Sequence, residues 1–182
     1  MTRAGLSSLI SEVRTLASDA GTVSLSDNTI QNILDRNRKD LYESPISVAA
    51  EYSLAGTAYS KYSSGYKNLE GTASGSDIVR ITNAAGSVLT DYVSFDSDGE
   101  FIFASDTNNI TYYLTGRSYN LNAAVAEAWT VKAAYYANQF DFSVEGRSFK
   151  KSQIVAHCLA MAHYYETQSE DTRINLYRGD WR

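Results

Sequence analysis

Cysteine and proline are almost missing from this chain of 182 residues, each occurring once, as Cys158 and Pro45. A lone cysteine forbids an internal disulfide and fits a reducing compartment. No apolar run approaches a membrane span, and the first residues, MTRAGLSSLISEVRTLA, lack the long apolar core of a signal peptide. Production and use under cytoplasm-like conditions are therefore expected. An excess of positive charge is missing too. The net charge of −5 argues against nonspecific DNA binding through a broad basic surface, though not against DNA passing nearby.

What remains is ordinary for a globular chain: 43% hydrophobic and 20% charged residues, enough to exclude global disorder. The length fits one domain, or a small core carrying an insertion. Fourteen tyrosines stand out. Tyrosine joins a large apolar ring to a polar tip and suits half-buried sheets and interfaces.

Hydrophobic periodicity divides the chain. Leu6, Leu9, Ile10, Val13, Leu16 and Ala17 share one helical face, with Thr2 as the expected cap and Gly21 as the stop. A second helix starts at Ser26, where a hydroxyl can accept from first-turn amides, and Leu25 and Ile30 have staple spacing. Its stripe reads Ile30, Ile33, Leu34 and Leu41, and Pro45 sets its expected end at Ser44. From 45 to 116 the period becomes two. Alternation at Ile46, Val48, Ala50, Tyr52 and Leu54 predicts a strand, as do the runs 78–82, 88–95, 100–104 and 109–114. Residues 83–87 and 96–99 carry turn chemistry, with Asp98-Gly99 favouring a hairpin. The Ser/Gly-rich segment 60–77 reads as a long exposed loop. Two more helices follow, one with Leu121, Val125, Trp129, Tyr136 and Phe140 in line, the other with Val155, Cys158, Leu159, Ala162 and Tyr165. Between them lies an aromatic bridge, FDFSVEGRSF.

The expected architecture is α+β: mainly a bundle of about four helices (1–44 and 117–168), with a small antiparallel β module inserted at 45–116 and a tail at 169–182. The tail carries no helical stripe and is expected to be loose in isolation.

The chemistry-bearing residues point away from catalysis. His157 and His163, six apart, fall on different helical faces and cannot pair on one metal. Cys158 sits on an apolar stripe and reads as core. Asp96, Asp98 and Gly99 resemble part of a calcium loop but lack its later ligands, so a turn explains them. Neither a nucleophile elbow nor a phosphate-binding glycine loop occurs in the sequence. The expected lists of catalytic, cofactor-binding and metal-binding residues are therefore empty, and no enzyme activity is expected. In the tail, Arg173, Ile174, Leu176, Tyr177, Arg178, Trp181 and Arg182 mix cations with large apolar groups, the types enriched at binding hot spots. These seven are the candidate partner-binding residues. Arg178-Gly179-Asp180 within them is read as a chance tripeptide.

Three stretches, GRSYNLNAAVAEAW (116–129), FDFSVEGRSFKKSQ (140–153) and MAHYYE (161–166), resemble the head-to-tail connector, or adaptor, proteins of tailed double-stranded DNA bacteriophages. In that family a β segment ends in a Gly-Arg-x-Tyr-Asp-like turn, then an alanine-rich helix, an aromatic bridge and a final helix. Asn120 replaces the common Asp, and either residue caps a helix. The opening helices match more weakly, bringing the coverage to about two thirds of the chain; the β insertion matches in position and character only. The resemblance implies a ring, commonly of twelve subunits, in the virion neck beneath the portal vertex. The ring would extend the DNA channel without sequence-specific DNA binding and would meet the portal protein on one side and a stopper or tail protein on the other. It also implies that the C-terminal segment reaches onto the portal. An acidic channel wall would let DNA slide. The alternatives are another neck or tail-completion protein, or a small ligand-binding module using Tyr59, Tyr62 and Tyr66.

Overall fold

The computed structural model describes residues 3–19, 24–53, 56–71, 79–89, 92–95, 99–139, 141–144, 147–149 and 151–169. Arg3 leads into a short 3-10 turn and α1 (Ser7–Leu16), and α2 follows (Asp27–Arg36). Ser26 caps α2 as its sequence position predicts: it is extended, and its hydroxyl accepts the Thr29 amide at 3.1 Å. Leu6, Leu9, Ile10 and Val13 from the first segment pack with Leu25, Ile30, Ile33 and Leu34 from the second.

The chain is not mainly a helical bundle, and this corrects the expectation above. Its largest feature is a seven-stranded sheet, ordered β4-β3-β7-β1-β2-β6-β5, in which every pairing is antiparallel. The strands are β1 (Arg38–Ser53), β2 (Gly56–Ser63), β3 (Arg80–Asn83), β4 (Val88–Leu89), β5 (Tyr92–Phe95), β6 (Glu100–Phe103) and β7 (Tyr112–Tyr119). The architecture is a mixed α+β fold.

The error lies at the end of α2. That helix stops at Arg36, where the Asn37 side chain donates to Ile33 O at 2.9 Å, and the chain turns at once into β1. Leu41, expected on the helix stripe, is buried in the sheet core instead. Pro45 is inside a strand. There it pairs across from Tyr113 of β7, two residues before β1 begins to pair with β2 at Ser47. With one ladder only at that point, the missing N–H is tolerated. The same stretch holds a register shift between Leu41 and Ser44, with Glu43 at positive φ. Sixteen residues long, β1 pairs with β7 through Ile46 and with β2 from Ser47 onward, so one strand serves both halves of the sheet.

The predicted exposed loop differs as well. Residues 56–63 form β2, and residues 67–71 run along the end of β7. Glu70 N donates to Arg117 O at 2.9 Å, Tyr119 N to Asn68 O at 3.2 Å, and Ser118 Oγ to Lys67 O at 2.8 Å. Gly99 has φ +78°, and a side chain there would collide with Ser64 Oγ and Tyr66 O at 2.2 Å, so only glycine fits this crossing.

Two cores result. The sheet core holds Tyr62, Phe101, Phe103, Tyr112, Ile81 and Leu114, with the Tyr62 and Tyr112 rings packed on Phe103 at 5.3 and 5.0 Å. The helical core gathers α1 and α2 against α3 (Leu121–Ala137), and α4 (Lys151–Ser169) closes over α3. The aromatic bridge is a hairpin of β8 (Phe142–Val144) and β9 (Arg147–Phe149) joining those helices. Phe140 of the predicted α3 stripe and the candidate tail residues Arg173, Ile174, Leu176, Tyr177, Arg178, Trp181 and Arg182 lie outside the described residues.

Candidate interaction surfaces

The root of α3 is tied by hydrogen bonds to β7, α2 and α4. Tyr119 ends β7 and Asn120 caps α3, its side chain accepting the Ala123 amide at 3.1 Å. The Asn120 backbone N–H donates to Asn37 O at 2.9 Å, tying α3 to the end of α2. Arg36 and Asn37 then reach Glu127 on the next turn of α3, through Arg36 Nε at 2.8 Å and Asn37 Nδ2 at 3.0 Å. The amide side chains also reach the other way. Asn120 Nδ2 donates to Ser169 O at 3.0 Å and Asn122 Nδ2 to Gln168 O at 3.1 Å, which pins the last turn of α4.

Beneath this root lies a buried charge cluster. The fully buried Glu70 accepts from Tyr119 Oη at 2.5 Å and from Arg3 Nε at 2.9 Å, with Arg117 Nη1 at 3.4 Å. Arg3 continues to Asp35 at 2.5 Å. Burial, and then the hydrogen bond to Glu70, push the Tyr119 hydroxyl well above the ordinary tyrosine range. A carboxylate with three donors around it is satisfied, and the cluster joins the N-terminal segment, α2, β7 and the 67–71 segment.

Above the cluster a groove of about 600 Å³ opens between β1, the 65–68 segment, the start of α3 and the end of α4. Arg38, Lys39, Lys67, Tyr66, Asn122 and Ser169 are among its lining residues. Lys39 Nζ sits 4.8 Å from the Tyr66 ring centre.

Other candidates fall into structural roles. Cys158 is buried, and burial raises its thiol pKa, so the group is a protonated core residue rather than a thiolate nucleophile. Lys132, opposite it on α3, donates from Nζ to Ala17 O and Ser18 O, both at 2.8 Å, and so satisfies carbonyls at the end of α1. The ring of His157 meets Trp129 edge-on at 5.8 Å, and His163 lies 3.9 Å from Glu166. Among the described residues no cluster of three potential metal ligands occurs. Tyr59, Tyr62 and Tyr66 do not gather on one surface. Tyr62 is a core residue, its hydroxyl bonded to Thr107 Oγ1 at 2.5 Å and to Ile110 O at 2.8 Å.

No family model matches the chain, and no curated protein or solved structure is significantly similar to it.

The second surface is the outer side of α4. Only Cys158 and Ala162 of this helix are buried. Its solvent side carries Ile154, Ala156, Leu159, Ala160 and Tyr164, with Leu159 and Tyr164 more than half exposed. From Ser152 to Tyr164 the helix has no Asp, Glu, Lys or Arg. Exposed Gln153, His157 and His163 stand among these apolar residues, so the outer side of α4 is mixed, with Ile154, Leu159 and Tyr164 as its large apolar groups. Among the described residues no helix is long and apolar enough to cross a membrane. The sequence placed Leu159 on a stripe to be buried, but it is more than half exposed, and Ile154 beside that stripe is exposed as well. It did not signal Glu70 or the groove, because residues 60–77 read as loop.

Proposed function

We propose that this chain is a structural virion protein, a head-to-tail connector that assembles as a ring in the neck beneath the portal vertex. The ring extends the DNA channel and presents the attachment surface for a stopper or tail protein. The observation that carries this reading is the exposure of Ile154, Leu159 and Tyr164 on the outer face of α4, which has no Asp, Glu, Lys or Arg from Ser152 to Tyr164 and which a neighbouring copy would bury. It agrees with the resemblance of residues 116–166 to connector proteins. The stretches that carry that resemblance are the end of β7 with α3, the β8–β9 hairpin and α4. A heterologous contact closing by rotation gives a ring, and twelve copies is the number the resemblance implies. The tail residues Arg173 to Arg182 supply the tether to the portal.

The test is a negative-stain image of the purified chain mixed with its portal protein. Rings stacked on the portal are expected. A chain that stays monomeric and unattached at micromolar concentrations would overturn the reading. Replacing Tyr177 and Trp181 together with Ala should weaken portal attachment and leave the melting temperature unchanged.

A further inference from the structure

The chain folds into two lobes that meet through polar groups. The helical core and the sheet core are separate clusters of buried apolar residues, and among the described residues no helix lies along the sheet. The backbone crosses between them twice, from α2 into β1 at Asn37 and from β7 into α3 at Asn120. Both crossings fall at one place. Arg38 pairs with Tyr119 at the adjoining ends of β1 and β7, and the Asn120 amide donates to Asn37 O at 2.9 Å. A two-stranded neck of this kind bends through backbone changes at a few residues. Polar interfaces between lobes ordinarily permit such motion.

A second connection, not covalent, spans the same joint. Segment 3–6 belongs to the helical lobe: Leu6 is in its core, and the Arg3 amide donates to Gln31 Oε1 at 2.9 Å. Segment 67–71 belongs to the sheet lobe: Leu69 is in the sheet core, and its bridge to Ser118 holds it to β7. Between the two, Arg3 Nε donates to the fully buried Glu70 at 2.9 Å while Arg3 Nη1 donates to Asp35 Oδ2 of α2 at 3.3 Å. Arg3 thus grips one carboxylate from each lobe. The Gly71 amide adds a bond across the joint, to Gly5 O at 3.2 Å. From its own side Glu70 keeps Tyr119 and, at 3.4 Å, Arg117. A buried carboxylate that loses its closest cation is costly, and opening the joint to water relieves that cost.

We propose that the neck at Asn37 and Asn120 is a hinge between the lobes, and that Arg3, bridging Asp35 and Glu70, is the clasp that fixes its angle. With the clasp closed the sheet lobe stands at one orientation to the helices. With it open the lobe swings while both cores stay folded. The far end of the sheet moves most, because Asn83 pairs with Tyr112 at the opposite end of β7, about 24 Å from Tyr119. The hinge goes beyond the connector reading and is measured on the isolated subunit, so either can fail without the other.

Double electron–electron resonance on the dilute full-length chain measures the swing. In a Cys158→Ala background, nitroxides at Asn32→Cys on α2 and Ala84→Cys just beyond β3 report the distance between the lobes, and both positions are exposed. The parent should give one narrow distribution, and adding Arg3→Gln should broaden it roughly twofold or more. Equal widths would overturn the proposal. Hydrogen exchange separates a hinge from a plain loss of stability. The Gly71 amide, whose bond crosses the joint, should exchange roughly tenfold faster in Arg3→Gln, with the amides of Leu34 and Leu114 in the two cores unchanged. Core amides that quicken by the same factor would mean that Arg3 only stabilises the fold and would overturn the clasp, as would an unchanged Gly71.

Discussion

α3 and α4 are close in length, seventeen and nineteen residues, and each carries a Tyr-Tyr pair, yet they live in different surroundings. α3 buries eight side chains, including Trp129 and the amine-bearing Lys132. α4 buries two. The difference comes from layer order. α3 lies between α1 and α2 on one side and α4 on the other, whereas α4 is outermost. Apolar composition reports that a surface is to be covered; it does not report by what. For α3 the cover is the rest of this chain, and for α4 we assign it to another copy.

The sharpest way to break this comparison is to truncate equivalent bulk on each helix. Trp129→Ala in α3 removes a buried ring and should cost about 3–5 kcal/mol in urea unfolding. A loss below about 1 kcal/mol would show that α3 is not the keystone. Glu70→Ala attacks the root of α3 from beneath. It leaves the Tyr119 hydroxyl without an acceptor for its proton, although Arg3 Nη2 still donates to it at 3.0 Å, and removes a partner from Arg3 and Arg117. Since both arginines reach solvent, a loss of about 2–3 kcal/mol is expected by the same measurement.

The raised Tyr119 pKa makes a linked prediction at alkaline pH. Above the ordinary tyrosine value near 10 the unfolded chain gives up this proton while the folded one keeps it. The contribution of Tyr119 is thus whole below that pH and is lost as pH rises beyond it. Unfolding free energy measured from pH 8 to 11 should fall more steeply for the parent than for Tyr119→Phe. Identical slopes would remove the buried pair from the account.

Asn120→Ala is smaller in effect but tests both helices at once. It deletes the cap of α3 and the hold on Ser169 of α4, and about 1 kcal/mol is expected. Hydrogen exchange should quicken at the start of α3 and at the end of α4 together. Leu159→Ala on the outer face of α4 should be the mildest, within about 0.5 kcal/mol of the parent.

Local signals survived the passage from sequence to structure, and long-range ones did not. Ser26 and Asn120 cap helices because capping needs only a side-chain oxygen and an amide three residues on. The strands β3 and β6 were legible from alternation and turn residues, whereas the single run expected over 88–95 divides into β4 and β5 on opposite edges of the sheet, and the run expected over 109–114 meets only the start of β7. The run Asn37 to Ser44 was not. Leu41 satisfies the helical period of Ile30, Ile33 and Leu34, and Pro45 looked like a terminator, but pairing of β1 with β7 outweighs both. That segment lengthened β1 to sixteen residues and, with β2 where a loop was expected, joined the separate strand runs into one sheet. Glu70 was hidden because its partners, Arg3, Arg117 and Tyr119, come from remote parts of the chain. The outer face of α4 was half legible: its apolar positions could be counted, but its exposure depends on where the other helices lie.

The central claim is that another copy covers this face. Mass photometry of the portal mixed with Leu159→Glu tests it most directly, beside the parent and after confirming that both melt at the same temperature. The account predicts rings for the parent and isolated subunits for the variant. Rings of equal size and abundance from both would contradict it.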